Sequence, residues 1–197
     1  MKNIGIIGGV VLGTALLFGT MNACKDKPKA EDPQEVAEEK NEAISEEAAA
    51  IVNDSQYLVD AAATDLTEIK IGELAQQKGV SAEVKKFGKM LAEEHKLSIA
   101  EVQDLAASKN INLPSVISEE GMNAFNELNE KSGAYFDKKF AEMMVNGHKK
   151  AINQARKATE DAKDDEVRNW ATGKIVTLSG HLAEAEELKE KVDDSNN

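Results

Sequence analysis

Beyond residue 54, apolar residues recur every three to four positions, and no stretch sustains an alternation of apolar and polar residues. The first helical run covers about 55–78. It opens after Asn53-Asp54-Ser55, whose side chains suit a helix N-cap, and closes at Gly79. A second run opens after Ser81 and reaches about 109, with Val84, Phe87, Leu91, Val102, Leu105 and Ala106 on one arc. Asn110-Ile111-Asn112-Leu113-Pro114 then predicts a loop, because proline lacks an amide proton and clashes with the preceding turn. Ser118 caps a short helix near 119–131, and Gly133 breaks it. A third long helix follows over 134–162, with Phe136, Phe140, Met144, Ala151, Ile152, Ala155 and Ala158 on one face. After Lys163-Asp164-Asp165, a fourth runs over 166–192 on Val167, Ala171, Ile175, Leu178, Leu182 and Ala185. Four amphipathic helices must bury these stripes against one another, and an all-α four-helix bundle is the simplest arrangement. The connection between the second and third long helices, which carries the short helix, is long enough to cross the bundle.

The N-terminal segment follows a different pattern. Met1-Lys2-Asn3 is short and positive, Ile4 to Phe18 is uncharged and apolar, and Gly19-Thr20-Met21-Asn22-Ala23 leads to Cys24. That order is the order of a secretory signal, and the apolar run falls short of the ~20 residues of a membrane span. A cysteine after a small residue at the end of the run resembles the bacterial lipobox, although Met21 and Asn22 depart from its usual residues. The expected organisation is a signal peptide over 1–23 and a lipidated Cys24 opening an acidic spacer over 24–53. A helical bundle over 54–193 and a disordered tail over 194–197 follow. The membrane partner would be reached through lipid on Cys24, placing the chain in the cell envelope, periplasmic or at the outer membrane. The alternative is an uncleaved N-terminal anchor with an incidental cysteine.

Charge narrows the function classes. The formal net charge is −12, which repels nucleic acid, so no nucleic-acid partner is expected. Cys24 is the sole cysteine, which rules out an internal disulfide, a CxxC redox pair and a cysteine-rich zinc site.

The candidate chemistry lies in polar residues on apolar faces. His95, His148 and His181 are the three histidines, each on a different long helix and within or beside its apolar arc. Asp137 points toward the core face of its helix, and Glu94 lies beside Phe87. Asp65, Glu68 and Gly72 form a stripe on the first helix. Buried polar groups must pair with one another, with water or with a ligand. One reading is a structural network of imidazoles and carboxylates without a cofactor. The other is a zinc or iron site drawn from His95, His148, His181, Glu68, Glu94 and Asp137. Asp137 and His148 lie three turns apart, roughly 16 Å along the axis, so both cannot hold one ion. The Glu-x-x-His pairs of di-iron bundles are absent, since Ala92, Val145 and Leu178 occupy the third position before each histidine. No nucleophile arrangement, phosphate loop or HExxH helix is present.

The ordered series Glu68-Ile69-Lys70-Ile71-Gly72-Glu73-Leu74-Ala75, Val84-Lys85-Lys86-Phe87-Gly88, Glu94-His95, Asn112-Leu113-Pro114, Ser132-Gly133-Ala134-Tyr135-Phe136-Asp137, His148 and His181-Leu182 resembles the domain of unknown function 4142 family. The resemblance spans roughly 55–190. It implies a ferritin-like four-helix fold, an envelope-associated protein of bacteria, and recurrent polar residues at Glu68, His95, Asp137, His148 and His181. It implies no activity. The expectation is therefore a non-enzymatic binding or stress-related module, with a metal-binding bundle as the alternative and a di-iron oxidoreductase after that.

Overall fold

The structure is a computed structural model and describes residues 30–45 and 49–194. Six helices make up its secondary structure: α1 (Pro33–Ser45), α2 (Ala49–Lys78), α3 (Ala82–Ser108), α4 (Glu119–Asn129), α5 (Ala134–Asp161) and α6 (Asp165–Asp194). All belong to the unit Glu31–Asn197. The chain is an all-α bundle, as the periodicity predicts. No described helix is long and apolar enough to cross a membrane. The expected signal peptide and Cys24 lie outside the described residues, as does the expected tail beyond Asp194.

The helices form two hairpins, α2–α3 and α5–α6, which pack so that α2 neighbours α5 and α3 neighbours α6. The connection 109–133 runs the length of the bundle. It begins beside the lower end of α2, where Ile111 joins Leu58 and Ala106 in one apolar cluster. It ends beside the upper end, where Lys78 reaches Asn129. The helix α5 therefore starts at the top and runs down, parallel to α3. Asn110 makes the turn out of α3: its φ of 57° is left-handed, and Ile111 N donates to Ala106 O while Asn110 N donates to Ala107 O. Those two bonds satisfy the last carbonyls of α3 and swing Ile111 into the core.

Two apolar clusters fill the bundle. The upper one gathers Ile71, Leu74, Phe87, Leu91, Phe136, Phe140 and Leu188, with Phe87 edge-on to Phe140. The lower one gathers Leu58, Ala62, Val102, Ala106 and Val167. Between them lies a level occupied by ionisable side chains.

Two buried aspartates fasten the hairpins to each other. Asp137 on α5 accepts from the amides of Val80 and Ser81, at 2.9 and 2.8 Å, in the α2–α3 turn. Asp54 on α2 accepts from the amides of Lys163 and Asp164 at the α5–α6 turn. Each hairpin thus supplies the carboxylate that satisfies the other's turn. This corrects two expectations. Asp54 is no cap of its own helix, because α2 continues back to Ala49 through Asn53-Asp54-Ser55. Asp137 is no core ligand, because both its oxygens face backbone amides at the top of the bundle.

The spacer expected over 24–53 is also shorter than its composition indicates. α1 lies against α2, with Ala37 and Asn41 buried and Val36 half-buried. Asn41 pairs with Asn112, accepting from its backbone amide at 2.8 Å and donating to its carbonyl at 2.9 Å. An amide that completes a loop's backbone bonds leaves no hydrophobic signature, which is why the segment resembles a tether.

Removing a carboxylate from either turn takes a charged acceptor from two part-buried amides, a loss of about 1–3 kcal/mol. Asp137→Ala and Asp54→Ala are each expected to lower the thermal midpoint by several degrees, and Asn41→Ala by less. Melting followed by circular dichroism checks this.

Candidate metal centre

The middle level of the bundle brings together one or two polar side chains from each long helix. Asp65 and Glu68 sit one turn apart on α2, with His95 on α3, His148 on α5 and His181 on α6. All five are buried, each at most 5% exposed. α2 and α3 come close enough for these contacts because glycines face each other above them, Gly72 one turn from Glu68 and Gly88 two turns from His95. A Cβ on Gly72 would lie 2.5 Å from the carbonyl oxygen of Gly88, and one on Gly88 would lie 2.6 Å from the Cβ of Ala75.

Each histidine has one ring nitrogen tied to an acceptor outside the cluster's centre. His95 Nδ1 lies 2.6 Å from Asp65 Oδ1, His148 Nδ1 lies 2.8 Å from the carbonyl of Met144, and His181 Nε2 lies 2.8 Å from Glu94 Oε2. Each of those oxygens accepts a hydrogen bond from its ring, which leaves the three remaining nitrogens turned inward. One nitrogen from each of His95, His148 and His181 falls within 4.8 Å of those of the other two. His148 Nε2 and His181 Nδ1 are 3.2 Å apart, and with both outer nitrogens protonated this contact sets one lone pair against another. Glu68 completes the group, its Oε2 lying 2.7 Å from His95 Nε2 and 3.5 Å from His148 Nε2. The shorter of these is close but out of line for a hydrogen bond, so Glu68 Oε2 and His95 Nε2 are both buried without a hydrogen-bond partner.

This donor set fits a metal ion. Bonds of about 2.0–2.1 Å in a tetrahedral site hold neighbouring ligand atoms about 3.3 Å apart. The His148–His181 and Glu68–His148 separations already match that spacing, and the Glu68–His95 contact must open by about half an ångström to reach it. Histidine ligands ordinarily donate their other nitrogen to a carboxylate or carbonyl, and all three histidines do.

Electrostatics point the same way. Burial alone would push His95 down, but the charge of Glu68 and the hydrogen bond to Asp65 outweigh it and raise the imidazole to about 10. Burial would push Glu68 up, but His148 and His95 hold it near 2. Burial lowers His181, and Glu94 only partly restores it. Without an ion, a proton on His95 is what balances the two α2 carboxylates.

Of the residues singled out in the sequence, the structure gathers His95, His148, His181 and Glu68 around one point. Glu94 stands outside, half-exposed, where it orients His181 rather than facing the centre. Asp137 is remote. Asp65 was legible only as a member of an α2 stripe, and its role depends on the register of α3. The carbonyl of Met144 has no sequence signal at all.

The family model described as a domain of unknown function (DUF4142) matches residues 38–188. The chain belongs to the DUF4142 family. That match includes α1 from residue 38 onward and every residue of the cluster. No curated protein and no solved structure matches the chain.

The metal-free protein has a defined pH profile. His95 is raised above its ordinary 6.5, so its contribution is full below pH 6.5 and lost as pH climbs toward 10. His181 is lowered, so its contribution is full above pH 6.5 and falls as the solution becomes more acidic. Glu68 is lowered from 4.5, so its contribution fades between pH 4.5 and about 2. Urea midpoints of the EDTA-treated protein should therefore peak near pH 6.5, and His95→Gln should flatten the alkaline side. An unchanged alkaline slope in that variant would contradict the assignment.

Proposed function

We propose that this DUF4142 domain is a metal-binding module. It holds a single transition-metal ion, zinc or iron, with His95, His148, His181 and Glu68. The observation that carries this reading is the convergence of three histidines and Glu68 on one point, with His148 Nε2 and His181 Nδ1 set 3.2 Å apart while their outer nitrogens are committed to Met144 and Glu94. Two facing acceptors repel unless a shared proton or a metal cation lies between them. Imidazole and carboxylate donors without thiolate suit zinc and iron. A single carboxylate among the four donors, and the missing Glu-x-x-His pairs, support a mononuclear site over a di-iron oxidoreductase centre. The role is one of binding rather than catalysis.

The second half of the proposal concerns address. The n-region, apolar run and Cys24 at its end support a lipid-anchored bacterial envelope protein, with the helical domain carried outside the cytoplasm.

Elemental analysis of protein reconstituted with zinc or iron(II) and then desalted is expected to find one ion per chain, lost in His148→Ala and retained in Asp137→Asn. Metal should raise the thermal midpoint by on the order of 10 °C, reversed by EDTA, because the ion binds only the folded state. If the wild-type protein retains no ion, the cluster is a proton-balanced structural network. For the anchor, Cys24→Ser is expected to move the protein from the membrane fraction to the soluble one. A variant still held by membranes after a carbonate wash would favour an uncleaved apolar anchor.

A further inference from the structure

α3 and α6 stand apart along the lower half of the bundle, and the gap leads inward to a cleft of about 330 Å³. Its inner end is Asp65, with the edges of His95 and His181 beside it. Its floor is Ala61, Thr64 and Ala151, and its far end is the aromatic pair Tyr57 and Trp170. The pair is packed edge to face, with ring centres 5.7 Å apart. A strut spans the mouth: Glu101 on α3 meets Lys174 on α6 at 2.6 Å and Trp170 Nε1 at 3.3 Å.

The cleft offers few free hydrogen-bond donors. Lys174 is the one lysine or arginine among the described residues that line it, and it is committed to Glu101. Asp60 is hydrogen-bonded to the neutral amides of Gln34, Gln56 and Gln154. Asp65 is 95% buried and uses Oδ1 on His95, but its Oδ2 has no hydrogen-bond partner. A buried carboxylate oxygen without a donor costs free energy until something supplies one. Such an oxygen beside a cleft with an aromatic wall asks for a small molecule with a cationic N–H head and an apolar or aromatic body.

We propose that the α3–α6 cleft binds small arylalkyl ammonium-type cations, the ammonium directed to Asp65 and the ring resting among Ala61, Ala151 and the Tyr57–Trp170 pair. Volume, a carboxylate oxygen without a hydrogen-bond donor and an aromatic wall coincide there. The site adjoins the proposed metal centre but does not depend on it.

Trp170 is the only tryptophan in the chain, so its emission reports on the cleft directly. The experiment titrates the full-length protein, metal-free and zinc-treated, with 2-phenylethylammonium, with its neutral counterpart 2-phenylethanol and with 3-phenylpropionate. Saturable quenching by the ammonium is expected at least tenfold tighter than by the alcohol, with no response to the carboxylate. Ala61→Phe, which fills the floor, should abolish quenching while circular dichroism and melting stay unchanged. Asp65→Asn should bring the ammonium and the alcohol to equal affinity, and Asp60→Asn should narrow their ratio if the Asp65 variant fails to fold. Equal affinity for all three probes in the wild type, or an unaltered titration in Ala61→Phe, overturns the proposal. Ammonium binding without zinc uptake would uphold the cleft and remove the metal reading; zinc uptake without ammonium binding would do the reverse.

Discussion

The structure depends on a row of ionisable groups that cannot be left unpaired. Asp65, Glu68, His95, His148 and His181 lie at one level, out of water and between two apolar clusters. Desolvating a lone charge there would cost several kcal/mol, so each group needs a partner from another helix. The partners are specific to the position of each helix along the axis. A slide of one residue on α3 would take His95 away from both Asp65 and Glu68 and leave all three exposed to that penalty. Aliphatic stripes tolerate small slips, whereas this belt does not. The upper and lower cores supply the drive to associate, and the polar level sets the register.

The three histidines are not equivalent in this scheme. His95 is held by two carboxylates of one helix and so carries much of the charge balance. His148 is fully buried and tied to the backbone of its own helix, which makes its ring the most rigidly aimed. His181 leans on Glu94, a side chain that reaches toward water, so it is the member through which the solvent touches the centre. A pocket on the other side, between α2 and α5, approaches Glu68 beside Gly147 and Met144. The centre is therefore enclosed by protein but lies close to space on two flanks.

Much of this was legible from residue order. The period of Val84, Phe87 and Leu91, or of Phe136, Phe140 and Met144, states which face of each helix is apolar, and that suffices for a bundle. It also suffices to suspect the histidines, because an imidazole within an apolar arc demands a partner. What period cannot state is height. Asp137 and His148 share a face of α5, yet one meets a backbone turn at the top and the other meets imidazoles in the middle. Glu94 and Glu68 look alike in sequence, and only the placement of α3 against α2 and α6 separates the outer acceptor from the inner ligand. α1 was missed for a related reason. Its buried contacts are an alanine and a pair of asparagine side-chain bonds, and neither produces an apolar stripe.

The exchanged aspartates have a consequence for how the domain is made. The carboxylate that finishes the α2–α3 turn arrives 56 residues later in the chain, and the one that finishes the α5–α6 turn was laid down 109 residues before. Neither half can complete its own reversal, so an isolated hairpin retains raw amide ends and a half-occupied polar level. Assembly therefore couples the two hairpins to each other. A cut within the crossing segment would divide each carboxylate from the turn it completes, and a chain stalled before α5 would lack Asp137, His148 and His181.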